Sequence, residues 1–209
     1  MKVRTMLSRT AIAGAVAAGA LLGAAPAQAQ PVGPLGSVGL EPLTPIPSLD
    51  VERYLGTWNQ VAAVPQPFNL ICARDTQANY QMIDEFNIRV ENTCTTWTGG
   101  ENRIVGNARV NDTATKAQLH VSFPGVPTQE SQEGPTNYIV AYIADDYSWA
   151  FVGSPNRTSG FVLKRTPDVS VEQFREIRSV VESLGYDSNF ITTTPTPGGA
   201  TTIQQLSTV

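Results

Sequence analysis

The 209-residue chain contains only two cysteines, Cys72 and Cys94, and a single histidine, His120. Zinc needs more ligands than this, and one histidine cannot complete a set with two distant cysteines, so no metal site is expected. No further histidine is available to activate a serine or cysteine nucleophile, which removes the usual catalytic triad. A basic excess is also missing: 14 Lys and Arg face 18 Asp and Glu, for a formal charge of -4. Without a positive field there is no electrostatic basis for holding a nucleic acid backbone. The N-terminal apolar stretch from Ala11 to Ala25 carries no charge, and Gly14, Gly19 and Gly23 interrupt it. That is short for a bilayer-spanning helix, which needs about 20 apolar residues.

What is present at the N-terminus reads as an export signal. Lys2, Arg4 and Arg9 precede the apolar stretch, and Ala27-Gln28-Ala29 supplies the small residues of a cleavage site. Residues 1–29 are therefore expected to be a signal peptide, and the protein to be exported to the cell envelope or beyond. No cysteine lies near the cleavage site, so no lipid anchor is expected there. The two cysteines of an exported chain are then read as a disulfide. Residues 30–47 contain Pro31, Pro34, Pro42, Pro45 and Pro47 among glycines and read as an extended linker. Residues 192–209, rich in Thr with Pro195 and Pro197, read as a disordered tail. One domain, residues 48–191, remains, with no internal repeat.

Within that domain period-two alternation dominates. Phe86, Ile88 and Val90 alternate with Asn87, Arg89 and Glu91, and Leu119, Val121 and Phe123 alternate with Gln118, His120 and Ser122. His120 thereby falls on the outward, solvated parity. Residues 77–82 are expected to pair with the Phe86 strand through a turn at Asp84 and Glu85. Further strands are expected at 58–64, 103–110, 138–144, 148–153 and 159–165, about eight in all, as in an all-β barrel or sandwich. The last three are apolar on both parities, so something must cover their outer face. The candidate is an amphipathic helix beginning after Ser170, with a capping box to Gln173 and an apolar stripe of Phe174, Ile177, Val181 and Leu184 ending at Gly185.

Three short motifs occur in one order along this pattern. Gly56-Thr57-Trp58 follows a short helical stretch, Asp145-Asp146-Tyr147 turns between two late strands, and Arg165 precedes the helix. Together they resemble the signatures of the lipocalins, most nearly the bacterial outer-membrane members and apolipoprotein D. The resemblance implies an eight-stranded antiparallel up-and-down barrel with one C-terminal amphipathic helix packed outside. It also implies structural roles for Gly56, Trp58, Asp146, Tyr147 and Arg165, with the Arg165 guanidinium stacked on the Trp58 indole at the closed end. The chain departs from the outer-membrane members in lacking their lipidated cysteine, in its long polar loop at 124–135 and in both tails.

A barrel of eight strands holds either interior side chains or one small ligand. The inward parity comprises Ala78, Tyr80, Ile88, Val90, Ala108, Leu119, Val121, Tyr138, Val140 and Trp149, the candidate ligand-binding residues. The resemblance implies a hydrophobic ligand of the fatty acid or lysophospholipid type, for carriage or storage, with no cofactor, no catalysis and possible peripheral association with the envelope. Two alternatives stand beside it. One is a lipid-modifying enzyme using Cys72 or Cys94 as a free inward thiol; the other is a packed barrel serving as an interaction module. Against the first, a turn at 83–85 sets Cys72 nearly opposite Cys94, where a cross-strand bridge fits.

Overall fold

The computed structural model of this chain describes residues 41–209. The expected signal peptide and the linker residues 30–40 lie outside the described residues. A short helix, α1 (Val51–Tyr54), is capped by Asp50, whose carboxylate accepts from the Arg53 N–H at 3.2 Å. It leads into eight strands: β1 (Gly56–Ala63), β2 (Cys72–Met82), β3 (Asn87–Thr96), β4 (Glu101–Val110), β5 (Gln118–Ser122), β6 (Tyr138–Ile143), β7 (Trp149–Gly153) and β8 (Gly160–Lys164). Each pairs antiparallel with the next, β8 returns to β1, and β1 pairs with β2, so the sheet closes into the expected up-and-down barrel.

Local chemistry sets the register. At the turn from β2 to β3 the Asp84 carboxylate accepts from the N–H groups of Phe86 and Asn87, an Asx-type turn that starts β3 with Ile88 and Val90 inward. This turn shares one end of the barrel with Gly56, Tyr147 and Arg165. The opposite end, formed by residues 65–71, 97–100, 124–137 and 154–159, is the mouth.

The doubly apolar strands divide their faces as alternation requires. Val140, Ala150, Val152 and Leu163 point into the barrel, whereas Ile139, Phe151 and Val162 point out. The outward set is covered by α2 (Val171–Ser183), which begins at Ser170 with both hydrogen bonds of the capping box to Gln173 and buries Phe174, Ile177 and Val181. Trp149 belongs to this outer layer, packed against Tyr142 with ring centroids 4.4 Å apart. That corrects its assignment to the interior. In strands apolar on both parities hydrophobicity cannot choose the inward face, and the helix supplies a second dry surface.

Both flanking segments depart from expectation. Residues 41–47, part of the expected linker, are extended but docked: the Leu43 N–H donates to the Pro155 carbonyl at 2.9 Å, the Ile46 N–H to Val140, and the Leu43 side chain is buried. The expected disordered tail is folded onto the barrel. Strand β9 (Thr192–Thr193) pairs with Ala62 and Ala63 of β1, the Thr194 N–H donates to Val61, and the Asp75 N–H of β2 donates to Pro195. Leu206 then enters the layer beneath α2 and is completely buried, beside Ile191. The Thr- and Pro-rich composition carries no apolar period, but one leucine and a few extended threonines are enough when a sheet edge and an apolar gap await them.

Candidate ligand-binding site

The closed end of the barrel is built on Trp58, which is fully buried and donates its indole N–H to the Tyr54 carbonyl at 2.8 Å. The Arg165 guanidinium lies over the indole, 3.7 Å from the ring centroid, and donates to the carbonyls of Thr57 and Arg53. Gly56 has φ of +90°, a left-handed conformation that lets the chain turn from α1 into β1, and a side chain there would face Arg165. Asp146 accepts from the Ser148 N–H in the turn from β6 to β7, and the Tyr147 hydroxyl accepts from the Asp50 N–H at 3.0 Å. Arg53 covers the Tyr147 ring at 3.9 Å. These motif residues join α1, β1 and the late strands into one plug.

Above the plug the side chains of Ile88, Ala108, Leu119 and Val140 pack with Tyr54 and Trp58 into the interior cluster. Three tyrosines meet there: the Tyr138 hydroxyl lies 2.7 Å from that of Tyr54 and 3.0 Å from that of Tyr80. Burial pushes the Tyr80 hydroxyl up to about 12, and raises Tyr54 and Tyr138 well above the usual phenol range. The cluster is therefore neutral at physiological pH.

Above the cluster the barrel is hollow. A cavity of about 760 Å³ opens toward the mouth, within the range of small-molecule sites. Of the inward residues read from the sequence, Ala78, Tyr80, Val90, Val121 and Tyr138 line it, while Ile88, Ala108, Leu119 and Val140 lie in the packed interior and do not. The inward list left out Phe123, which alternation had placed with Leu119 and Val121, and it did not include Ile104, Val152, Phe161 and Leu163, nor Phe68 from the loop after β1, which stacks on Phe161. Most of these sit in strands already read as strands, and their parity was the available signal; Phe68 had none. No Asp, Glu, Lys, Arg or His is among the described lining residues. Polar groups come instead from amides such as Asn92 and Asn102, and the Asn92 Oδ1 is a buried acceptor without a partner.

Cys72 and Cys94 form a disulfide in the cavity wall near the mouth, bridging β2 and β3 with Cα atoms 5.5 Å apart. Neither sulfur is a thiolate, so the thiol-enzyme alternative loses its nucleophile. His120 is buried rather than solvated, because residues 131–135 fold over the outer face of β5. Its ring nitrogens lie 2.7 Å from the Pro135 carbonyl and 3.0 Å from that of Ser131, and Gly134 leaves the imidazole the space a Cβ would take. The same long loop brings Val126 and Pro127 to the mouth.

A family model for a lipocalin-like domain matches residues 49–196. The chain belongs to the lipocalin family. Temperature-induced lipocalin-1 of Arabidopsis thaliana is 30% identical over 152 residues, covering 72% of this chain and 81% of the relative. The outer membrane lipoprotein Blc of Escherichia coli is 31% identical over 155 residues, covering 71% and 81%, and mouse apolipoprotein D is 27% identical over 151 residues, covering 70% and 77%. Among solved structures, insecticyanin from the tobacco hornworm superposes with a TM-score of 0.54 at 16% identity, covering 75% of this lipocalin and 84% of that chain. Lobster apocrustacyanin A1 gives 0.52 at 14%, covering 69% and 78%. At these identities the two structures speak for the barrel alone.

Proposed function

We propose that this lipocalin binds one hydrophobic molecule with a long hydrocarbon chain, of the fatty acid or lysophospholipid type, inside its barrel, and carries or stores it without chemical change. The observation that carries this reading is a hollow, uncharged interior in a barrel whose remaining core is densely packed. An ionised head group gains nothing inside such a cavity, so the hydrocarbon enters and the head stays in water at the mouth. The basic and apolar N-terminal pattern supports export, and the disulfide suits an oxidising compartment. Leu70 and Trp97 at the rim are 84% and 63% exposed, and the Trp97 N–H donates to the carbonyl of the exposed Ile71, which supports peripheral contact with the envelope from which a lipid would be drawn.

Calorimetric titration of the delipidated protein with saturated fatty acids of increasing length tests the reading. Each buried CH₂ contributes about 0.8 kcal/mol, so affinity should rise about fourfold per carbon until the cavity is full. Val121→Phe, which fills part of the wall, should weaken binding of the longest members while the barrel still melts cooperatively. Absence of saturable binding across the series would overturn the proposal.

A further inference from the structure

We propose that the β3–β4 wall of the cavity is a recognition site for a hydroxyl group carried part-way along the ligand's hydrocarbon chain, formed by the side-chain amides of Asn92 and Asn102. This deepens the cavity reading and rests on it. Strand register places both residues on the inner face. On β3, Asn92 stands between Val90 and Cys94 at the same parity, and its cross-strand partners are Ala78 on β2 and Ile104 on β4. All four of those neighbours line the cavity, as Asn92 itself does. Asn102 pairs with Cys94, one inward position nearer the mouth, so the two amides are diagonal neighbours across β3 and β4.

The Asn92 Oδ1 is shut off from solvent and has no hydrogen-bond partner. Its neighbours on the wall explain this: the side chains of Ala78, Val90 and Ile104 and the Cys72–Cys94 disulfide offer no N–H or O–H. An unbranched hydrocarbon laid against this wall leaves the amide unpaired in a dry site, which is unfavourable. A charged group would pair with the amide but find no counter-ion, because no Lys, Arg, His, Asp or Glu is among the described lining residues. A hydroxyl brings no charge and is both donor and acceptor. The Asn92 amide turns about its Cβ–Cγ bond between two broad orientations, and a hydroxyl meets either: it donates to Oδ1 or accepts from Nδ2. Because Asn92 lies mid-strand, between the packed interior around Ile88 and the mouth, the matching hydroxyl belongs to the middle of the chain rather than to its end.

The test titrates the delipidated protein calorimetrically with a saturated long-chain fatty acid and with its analogues carrying one hydroxyl at successive carbons. In a purely apolar cavity every buried hydroxyl weakens binding. Here the analogues with a mid-chain hydroxyl should bind at least as tightly as the parent, and those hydroxylated near the methyl end more weakly, a pattern read in the wild type without any variant. In Asn92→Leu, which keeps the wall filled, the affinity of the best analogue relative to the parent should fall about tenfold, while the parent itself binds as well or better. A hydroxyl that weakens binding equally at every position, as when ordered water already serves the amide, overturns the inference, and so does an unchanged ratio in a cooperatively melting Asn92→Leu. Binding of the parent acid keeps the cavity reading intact in either case. If neither parent nor analogues bind, both fall.

Discussion

The tyrosine cluster ties a few hydroxyls to the stability of the whole interior. Tyr80 ionises at about 12 in the folded protein against 10.0 for a free phenol, because burial penalises the phenolate. A raised folded value means the stabilisation is complete below pH 10 and is lost as the pH climbs through 12. Thermal melts should therefore show a steep fall in stability between about pH 10 and about pH 12. Tyr80→Phe should make that fall shallower, since a phenylalanine has no proton to release. A melt profile of the same steepness in both proteins would remove Tyr80 from the cause. Strand parity read Tyr80 and Tyr138 as inward, but not that Tyr54, in a separate helix, would meet them. Trp149 shows the opposite case, a side chain that opens a strand apolar on both parities and whose direction only α2 decides.

Among the elements, β2 is the longest strand, and its pairing with β3 is fastened at the mouth end by Cys72–Cys94. The bridge closes a loop with a sequence separation of 22 residues, for which chain entropy suggests about 3 kcal/mol of stabilisation. In a domain of this size that corresponds to a melting point roughly 6–12 °C lower after reduction. Calorimetry with and without reductant checks it, and ligand affinity should also drop, because the bridge is part of the cavity wall. The pairing of these strands was legible from alternation and the Asp84 turn. The loop from 124 to 137 was not: its polar composition gives no sign that Gly134 and the Pro135 and Ser131 carbonyls will bury His120.

At the scale of the molecule, the barrel is completed by its C-terminus. Strand β9 and Pro195 fill the seam where β1 and β2 part near the mouth, and Leu206 fills the layer between barrel and helix. Deleting residues 195–209 should therefore destabilise the protein by several kcal/mol, and Leu206→Ala alone by about 2–5 kcal/mol, measured by urea unfolding. Unchanged unfolding midpoints in both would show the tail to be dispensable. The sequence by itself determined the eight barrel strands, the capped amphipathic helix and the disulfide partners, because alternation, turn chemistry and capping act between near neighbours in the chain, while the roles of the closed-end motifs came from their resemblance to the lipocalin signatures. Only the tertiary structure decided that the barrel is hollow, which way Trp149 faces, that three tyrosines share their protons and that the tail is part of the fold. Those depend on volumes and contacts between segments far apart in the chain, where no local period leaves a mark.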